Sequence, residues 1–146
     1  MADDVLLNKA ASIERYVARA REEFAADPSS FATNFTRQDA AILNIQRACE
    51  AALDMGQHII RRESLGLPQS ARDVFALLAQ ADWIDTALAE SMKRMVGFRN
   101  VAVHEYQTLQ LPITLNIITG HLGEFAEFSR CMLLKDASGR STQHAP

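Results

Sequence analysis

The chain of 146 residues has little of several features that define other classes of protein. Its two cysteines, Cys49 and Cys131, are too few for a disulfide scaffold or for a zinc site built on thiolates. Six glycines and four prolines exclude collagen-like and most low-complexity sequences. No run approaches the ~20 apolar residues of a membrane-spanning helix, and Asp3 and Asp4 are unlike the basic start of a signal peptide. We therefore expect a cytoplasmic protein with reduced thiols and no membrane partner.

Positive charge is also scarce in this sequence. Fifteen lysines and arginines stand against 18 aspartates and glutamates, which gives a formal net charge of −3. This balance excludes proteins that bind nucleic acid through a large overall positive charge. Any contact of this chain with nucleic acid must therefore use a local basic patch. Apolar residues are plentiful, at 48% of the chain, which is enough for the core of one domain of this length.

Apolar residues recur at steps of three and four along almost the whole chain. This period is typical of amphipathic helices, and no alternating strand pattern interrupts it. Capping and first-turn residues predict the helix starts, which are Thr36 with Asp39 as its capping partner, Ser70, either Asp85 or Thr86, and Pro112. The last of these helices is expected to run without a break over Leu115–Met132. The sequence predicts an all-α bundle of four or five helices in up-and-down order.

A change of composition at position 136 divides the chain into two parts. Residues 1–135 carry the helical pattern and are expected to form a single helical domain. Residues 136–146 are small and polar and lack an apolar stripe. We therefore expect them to form a disordered tail.

Residues 95–106 do not have the pattern of a helix that only supports a core. Arg99, Asn100, His104 and Tyr106 place four chemically versatile side chains within eight residues, with small apolar residues between them. Asn100 and His104 lie one turn apart on one helical face, whereas Arg99 and His104 point about 140° apart. Either the backbone is irregular near Gly97, or two copies of the segment meet across a two-fold axis.

These side chains suit a phosphodiester. A guanidinium binds phosphate oxygens, and an imidazole with a reference pKa of about 6.5 moves a proton near neutral pH. Asn100 can bind the phosphate or orient the imidazole. Because no cluster of aspartates or glutamates accompanies them, a two-metal nuclease is disfavoured, and the natural nucleophile is the 2′-hydroxyl of RNA. The same residues also fit a plain interpretation, in which Arg99 is solvated and His104 is a buried capping residue.

Residues 99–106, Arg-Asn-Val-Ala-Val-His-Glu-Tyr, resemble the Arg-x-x-x-x-His-x-Tyr signature of the HepT toxins in the HEPN superfamily. The resemblance extends through residues 42–51, 66–70 and 93–98, and it covers about residues 3–135. It implies a HEPN-like fold, a homodimer and a ribonuclease without metal or cofactor. It also implies that Arg99 and His104 of both subunits line one cleft as the catalytic pair, with Asn100 in support.

The resemblance further implies a partner, a minimal nucleotidyltransferase antitoxin of the MntA kind. Such an antitoxin uses ATP to place AMP on the signature tyrosine, here Tyr106, and the added anionic phosphate repels RNA. Lys93, Arg94 and Arg47 are candidate contacts for the RNA. The alternative function is a non-catalytic HEPN module that binds a nucleotide or regulates a nucleotidyltransferase. The intact pair of Arg99 and His104 favours the enzyme.

Overall fold

The computed structural model describes residues 2–143, and the side chains of residues 2–139. The α-helices in this range are α1 (Asp4–Ala25), α2 (Phe35–Arg62), α3 (Ala71–Gln80), α4 (Thr86–His104), α5 (Leu111–Gly120) and α6 (Gly123–Gln143). Two 3₁₀ helices, Pro28–Thr33 and Tyr106–Thr108, join them, and residues 2–143 contain no strand. The predicted all-α class is confirmed. No helix among these residues is long and apolar enough to cross a bilayer.

Side-chain caps start the helices at or near the predicted positions. Ser70 caps α3 and Asp85 caps α4, each by accepting a hydrogen bond from a backbone N–H of the first turn. The start of α2 differs from the prediction, because Asn34 rather than Thr36 is its cap. Asp39, the predicted capping partner of Thr36, is bound to another part of the chain, as described below.

The prediction of a single long helix over Leu115–Met132 is wrong, because two helices occupy this range. α5 ends at Gly120 and α6 begins at Gly123. Two glycines within four residues weaken a continuous helix, since glycine loses more backbone freedom than any other residue. Leu122, at the break, is buried. The bundle therefore has six α-helices in the described residues rather than four or five.

The prediction of a disordered tail is also wrong for residues 136–143, because α6 continues through them. Asp136 is 5% exposed, and its carboxylate accepts a hydrogen bond of 2.9 Å from Arg62 of α2. This pairing joins positions 74 apart and ties α6 to α2 at Asp136. Composition carries no sign of such a contact. Positions 144–146 lie outside the described residues.

The core lies between α1, α2, α4 and α6, and α3 adds buried residues to it where it packs on α2 and α4. Phe75 of α3 and Phe128 of α6 meet edge to face in this core, with their ring centroids 5.4 Å apart. α4 packs against both α2 and α3. This packing fixes the position of the residues near the end of α4 that the sequence analysis selected.

Asp3 joins the start of α1 to the last turns of α2. Its carboxylate accepts the Leu6 N–H as a helix cap, and it lies 2.6 Å from His58 Nε2 and 2.9 Å from Arg62 Nη1. Burial of the carboxylate opposes ionisation. The hydrogen bonds from His58, the Leu6 N–H and Arg62 outweigh burial and lower the pKa of Asp3 to about 2.

This contact predicts a pH-dependent part of the stability. A carboxyl group with a pKa of about 2 in the folded state and 3.8 in the unfolded state adds about 2 kcal/mol to the free energy of unfolding above pH 4. The contribution is lost as the pH falls from about 4 towards 2. Urea unfolding of wild type and Asp3→Asn between pH 7 and 2 measures it. The two free energies of unfolding should converge at low pH, and a gap that stays constant contradicts the prediction.

Candidate active site

The candidate site begins on α4, which runs without a break through Gly97 to His104. The Glu105 N–H still binds the carbonyl of Val101, at 2.8 Å, so the helical hydrogen bonding persists to the last turn. The irregular backbone near Gly97, one of the two predicted alternatives, does not occur. Arg99 and His104 therefore point about 140° apart in one copy of the chain.

Arg99 lies on the side of α4 that faces α2. Its Nε is buried and has no hydrogen-bond partner among the described residues. Its charge acts on the thiol of Cys49 in α2, but burial dominates and raises the pKa of Cys49 to about 12. Cys49 is thus a neutral packing residue. No ion pair in the described part of the chain involves Arg99, so its guanidinium charge is not neutralised there.

His104 is the last residue of α4, and its side chain is exposed. Asn100 lies one turn earlier on the same face and is half-buried. The contacts within residues 2–139 include no hydrogen bond to either side chain. Both are therefore available to a molecule that approaches this face of α4.

Tyr106 follows as the first residue of the 3₁₀ helix Tyr106–Thr108. Its hydroxyl donates a hydrogen bond to the carboxylate of Asp39, in the second turn of α2. Burial and the negative charge of Asp39 together raise the pKa of Tyr106 to about 12. The sequence pattern predicts Asp39 only as a capping partner of Thr36 and carries no sign of its contact with Tyr106.

Exposed apolar side chains flank the contact between Tyr106 and Asp39. Phe35 is 71% exposed and Leu43 is 40% exposed, and both share a face of α2 with Asp39 because they lie four residues to either side of it. Val103 of α4 is 44% exposed. The exposed apolar face that Phe35 and Leu43 form beside Asp39 suits contact with another protein.

The predicted RNA contacts fall on two different surfaces. Lys93 and Arg94 lie on α4, where each makes a local contact of 3.1 Å with a side chain three residues earlier. Arg47 lines a shallow cleft between α1 and α2, together with Lys9 and Tyr16. Lys93 shares the face of α4 that carries His104, Arg94 points about 100° away from Lys93 towards α5, and Arg47 lies on a different surface.

A basic residue that the sequence analysis did not select, Arg72 of α3, lies against the same helix. A Cβ atom on Gly97 would stand only 2.9 Å from Arg72 Nη2, so the absence of a side chain at Gly97 makes room for the guanidinium. Gly97 is one turn after Lys93 and one turn before Asn100. Arg72 forms no ion pair with the described residues, and it adds a free positive charge to the face that ends at His104.

The candidate site is an exposed surface of the single chain. A mainly apolar cleft of about 380 Å³ lies between α4 and α5, but its lining includes Arg94 and none of Arg99, Asn100, His104 and Tyr106. Within the described residues, no three His, Cys, Asp or Glu side chains gather where they could hold a metal ion. A small target would be enclosed only if a second surface covered this face of α4.

The helical bundle and the polar segment at the end of α4 define a protein of the HEPN class. The profile of the family described as "Ribonuclease HepT-like" matches residues 10–132, and the chain belongs to that family. The curated relative "mRNA nuclease HepT" of Shewanella oneidensis is 46% identical over 126 residues, which is 86% of this chain and 94% of that protein. The resemblance in the sequence is thereby confirmed.

Solved structures have the same fold. A structure described as a toxin–antitoxin with AMP-PNP gives a TM-score of 0.85 at 44% identity, over 89% of this chain and 98% of that chain. The tri-AMPylated HEPN toxin of Shewanella oneidensis in complex with its MNT antitoxin gives 0.85 at 45% identity, over 89% and 97%. A Bacillus subtilis cytosolic protein of unknown function gives 0.68 at 18% identity over 93% of both chains, and it shares the fold alone.

Proposed function

We propose that this chain is the ribonuclease toxin of a toxin–antitoxin pair. It acts in the cytoplasm as a two-fold homodimer, in which the two α4 segments form one cleft for RNA. The unbroken course of α4 carries the proposal, because it sends Arg99 and His104 about 140° apart. Arg99 of each copy can then work with the partner's His104. The 46% identity to an mRNA nuclease supports RNA as the substrate.

The surroundings of the segment support a dimer. The exposed apolar residues Phe35, Leu43 and Val103 give a second copy something to cover. The guanidinium of Arg99, with its buried Nε and no ion pair within the described residues, is suited to an anionic ligand in the resulting cleft.

In this cleft, His104 exchanges protons and Arg99 binds the reacting phosphate. The imidazole of His104 takes the proton of the ribose 2′-hydroxyl as its oxygen attacks the adjacent phosphorus, and water gives a proton to the departing 5′-oxygen. Arg99 stabilises the extra negative charge on the phosphorane-like transition state, and Asn100 orients the phosphate or the imidazole. The products end in a 2′,3′-cyclic phosphate, or in the 3′-phosphate derived from it, and the reaction uses no metal.

The RNA strand approaches along α4, where Lys93, Arg94 and Arg72 supply positive charge beside the cleft. Arg47 remains a proposed contact of another kind, on the surface between α1 and α2. It would reach only RNA that extends beyond the cleft.

A nucleotidyltransferase antitoxin controls this activity by moving AMP from ATP to Tyr106. The two similar structures that contain an antitoxin, one with AMP-PNP and one with a tri-AMPylated toxin, support this part of the proposal. Tyr106 is accessible beside the end of α4, so an attached nucleotide would place bulk and negative charge near His104.

Cleavage of a defined RNA by the purified chain tests the proposed activity. We expect fragments that end in cyclic phosphate, formed at the same rate with EDTA as without it. Expression of the chain alone should stop growth, and expression together with its nucleotidyltransferase antitoxin should restore growth. A strict requirement for added Mg²⁺ would reject the metal-free mechanism, and failure of the pure protein to cleave any RNA would reject the enzyme.

A further inference from the structure

The hydroxyl of Tyr106 meets a carboxylate that the ribonuclease chemistry does not use. It donates a hydrogen bond to Oδ1 of Asp39, 67 positions earlier in the chain. Asp39 is exposed, and no lysine, arginine or histidine among the described residues forms an ion pair with it. Tyr106 is 42% exposed. The hydroxyl of Tyr106 is thus accessible, and its proton is already hydrogen-bonded to a carboxylate that can accept it.

We propose that Asp39 accepts the proton of Tyr106 during nucleotidyl transfer, so that the toxin supplies a base to the reaction that silences it. The inference rests on the proposed function, in which Tyr106 receives AMP from a nucleoside triphosphate bound by the antitoxin. A phenol with a reference pKa of about 10 keeps its proton at neutral pH and must lose it as the oxygen attacks phosphorus. In protein kinases a carboxylate accepts the proton of the attacking hydroxyl in the same way.

The step balances with these groups alone. The Tyr106 oxygen forms a bond to the α-phosphorus of ATP, and the bond from that phosphorus to the bridging oxygen of pyrophosphate breaks. Pyrophosphate leaves with the electron pair of the broken bond. The phenolic proton passes to Asp39, which later releases it to water. The product is an aryl phosphodiester that joins AMP to Tyr106.

The direction of the hydrogen bond favours Asp39 as a base over Asp39 as a residue that only makes the Tyr106 hydroxyl inaccessible. With its proton directed at Asp39, the Tyr106 oxygen keeps its lone pairs on the outer side, where a phosphorus atom can approach. Burial and Asp39 also raise the pKa of the phenol, so the free phenolate is rarer than in an exposed tyrosine. Transfer then depends on a base that acts while the new bond forms.

The rate of AMP incorporation into the full-length chain by its antitoxin and ATP tests this role. Intact mass and peptide mapping identify the modified tyrosine. Asp39→Asn keeps an oxygen that accepts the hydrogen bond but does not take the proton, and we expect the rate to fall about 10²-fold or more. Asp39→Glu should recover part of the rate. Asp54→Asn makes the same change of charge on an exposed turn about 22 Å along α2, and as the matched control it should react like wild type.

The pH dependence separates a base from a residue that only holds Tyr106 in place. A lost positioning contact lowers the rate by the same factor at every pH. A lost base makes the variant depend on the phenolate fraction, so the ratio of its rate to the wild-type rate should rise about tenfold per pH unit between pH 6 and 9. His104 and Glu105, the titratable neighbours on the same segment, and the groups of the antitoxin are common to both proteins, so their effects cancel in the ratio.

Two outcomes overturn the role of Asp39. One is transfer of AMP to Asp39→Asn or Asp39→Ala at the wild-type rate or faster, and the other is a rate ratio that stays constant with pH. Thermal melting of each variant shows that the exposed substitution leaves the fold intact. A Tyr106→Phe protein that takes up AMP like wild type instead refutes Tyr106 as the acceptor, and with it the proposed control, whatever the Asp39 variants do.

Discussion

Arg99→Ala and His104→Ala should each lower the rate of RNA cleavage at least about 10²-fold. Loss of a general acid or base costs about 10²–10⁴ in rate, and loss of a group that stabilises developing charge costs about 10²–10³. His104 is exposed, so its replacement leaves the core unchanged. Arg99→Ala should also keep the fold, which a wild-type circular dichroism spectrum and melting temperature would show. Cleavage of a fluorescent RNA measures the loss, and full activity in His104→Ala contradicts the mechanism.

A mixture of these two inactive proteins tests whether the site is shared between subunits. If Arg99 of one copy works with the partner's His104, a mixed dimer holds one site without either substitution and one site with both. Random exchange of subunits makes about half of the dimers mixed, so about a quarter of wild-type activity should return. A site contained within one chain would recover nothing. Light scattering that shows a monomer at micromolar concentration would also refute the shared cleft.

Features set by neighbouring residues could be predicted from the sequence. The starts of α3 and α4 follow from Ser70 and Asp85, whose side chains cap helices within the next turn. The divergence of Arg99 and His104 follows from the residue period of a helix and needs no tertiary information. The family resemblance rests on the same short segment, and this is why class and family were predictable.

Contacts between distant positions could not be predicted in this way. An aspartate near the start of a helix is common, so the position of Asp39 gives no reason to predict a contact with Tyr106. Only the packing of α4 on α2 brings the two residues together. Arg72 likewise reaches α4 through the packing of α3, at a place that Gly97 leaves open. The burial of Asp136 against α2 overrides a polar composition that is typical of a tail. Each case depends on which helices pack together, and local pattern carries no information on that.

Tyr106→Phe should remain an active ribonuclease and escape its antitoxin. The phenyl ring keeps the size of the side chain, while the substitution removes the hydroxyl that accepts AMP and donates to Asp39. Without a nucleotide beside the cleft, no added phosphate repels RNA. Cells that express the variant together with the nucleotidyltransferase should stop growing, whereas cells with the wild-type chain and the same partner should grow.

Mass spectrometry gives the matching chemical result. After incubation with the nucleotidyltransferase and ATP, the intact mass of the wild-type chain should rise by whole AMP units, and that of Tyr106→Phe should not change. Tyr16 is the other tyrosine of the chain, in the middle of α1 and in contact with the Arg15 guanidinium. Tyr16→Phe is therefore the control and should be modified and neutralised like wild type. If the wild-type mass never shifts, or if Tyr106→Phe is neutralised as well as wild type, the control of the toxin does not act through Tyr106.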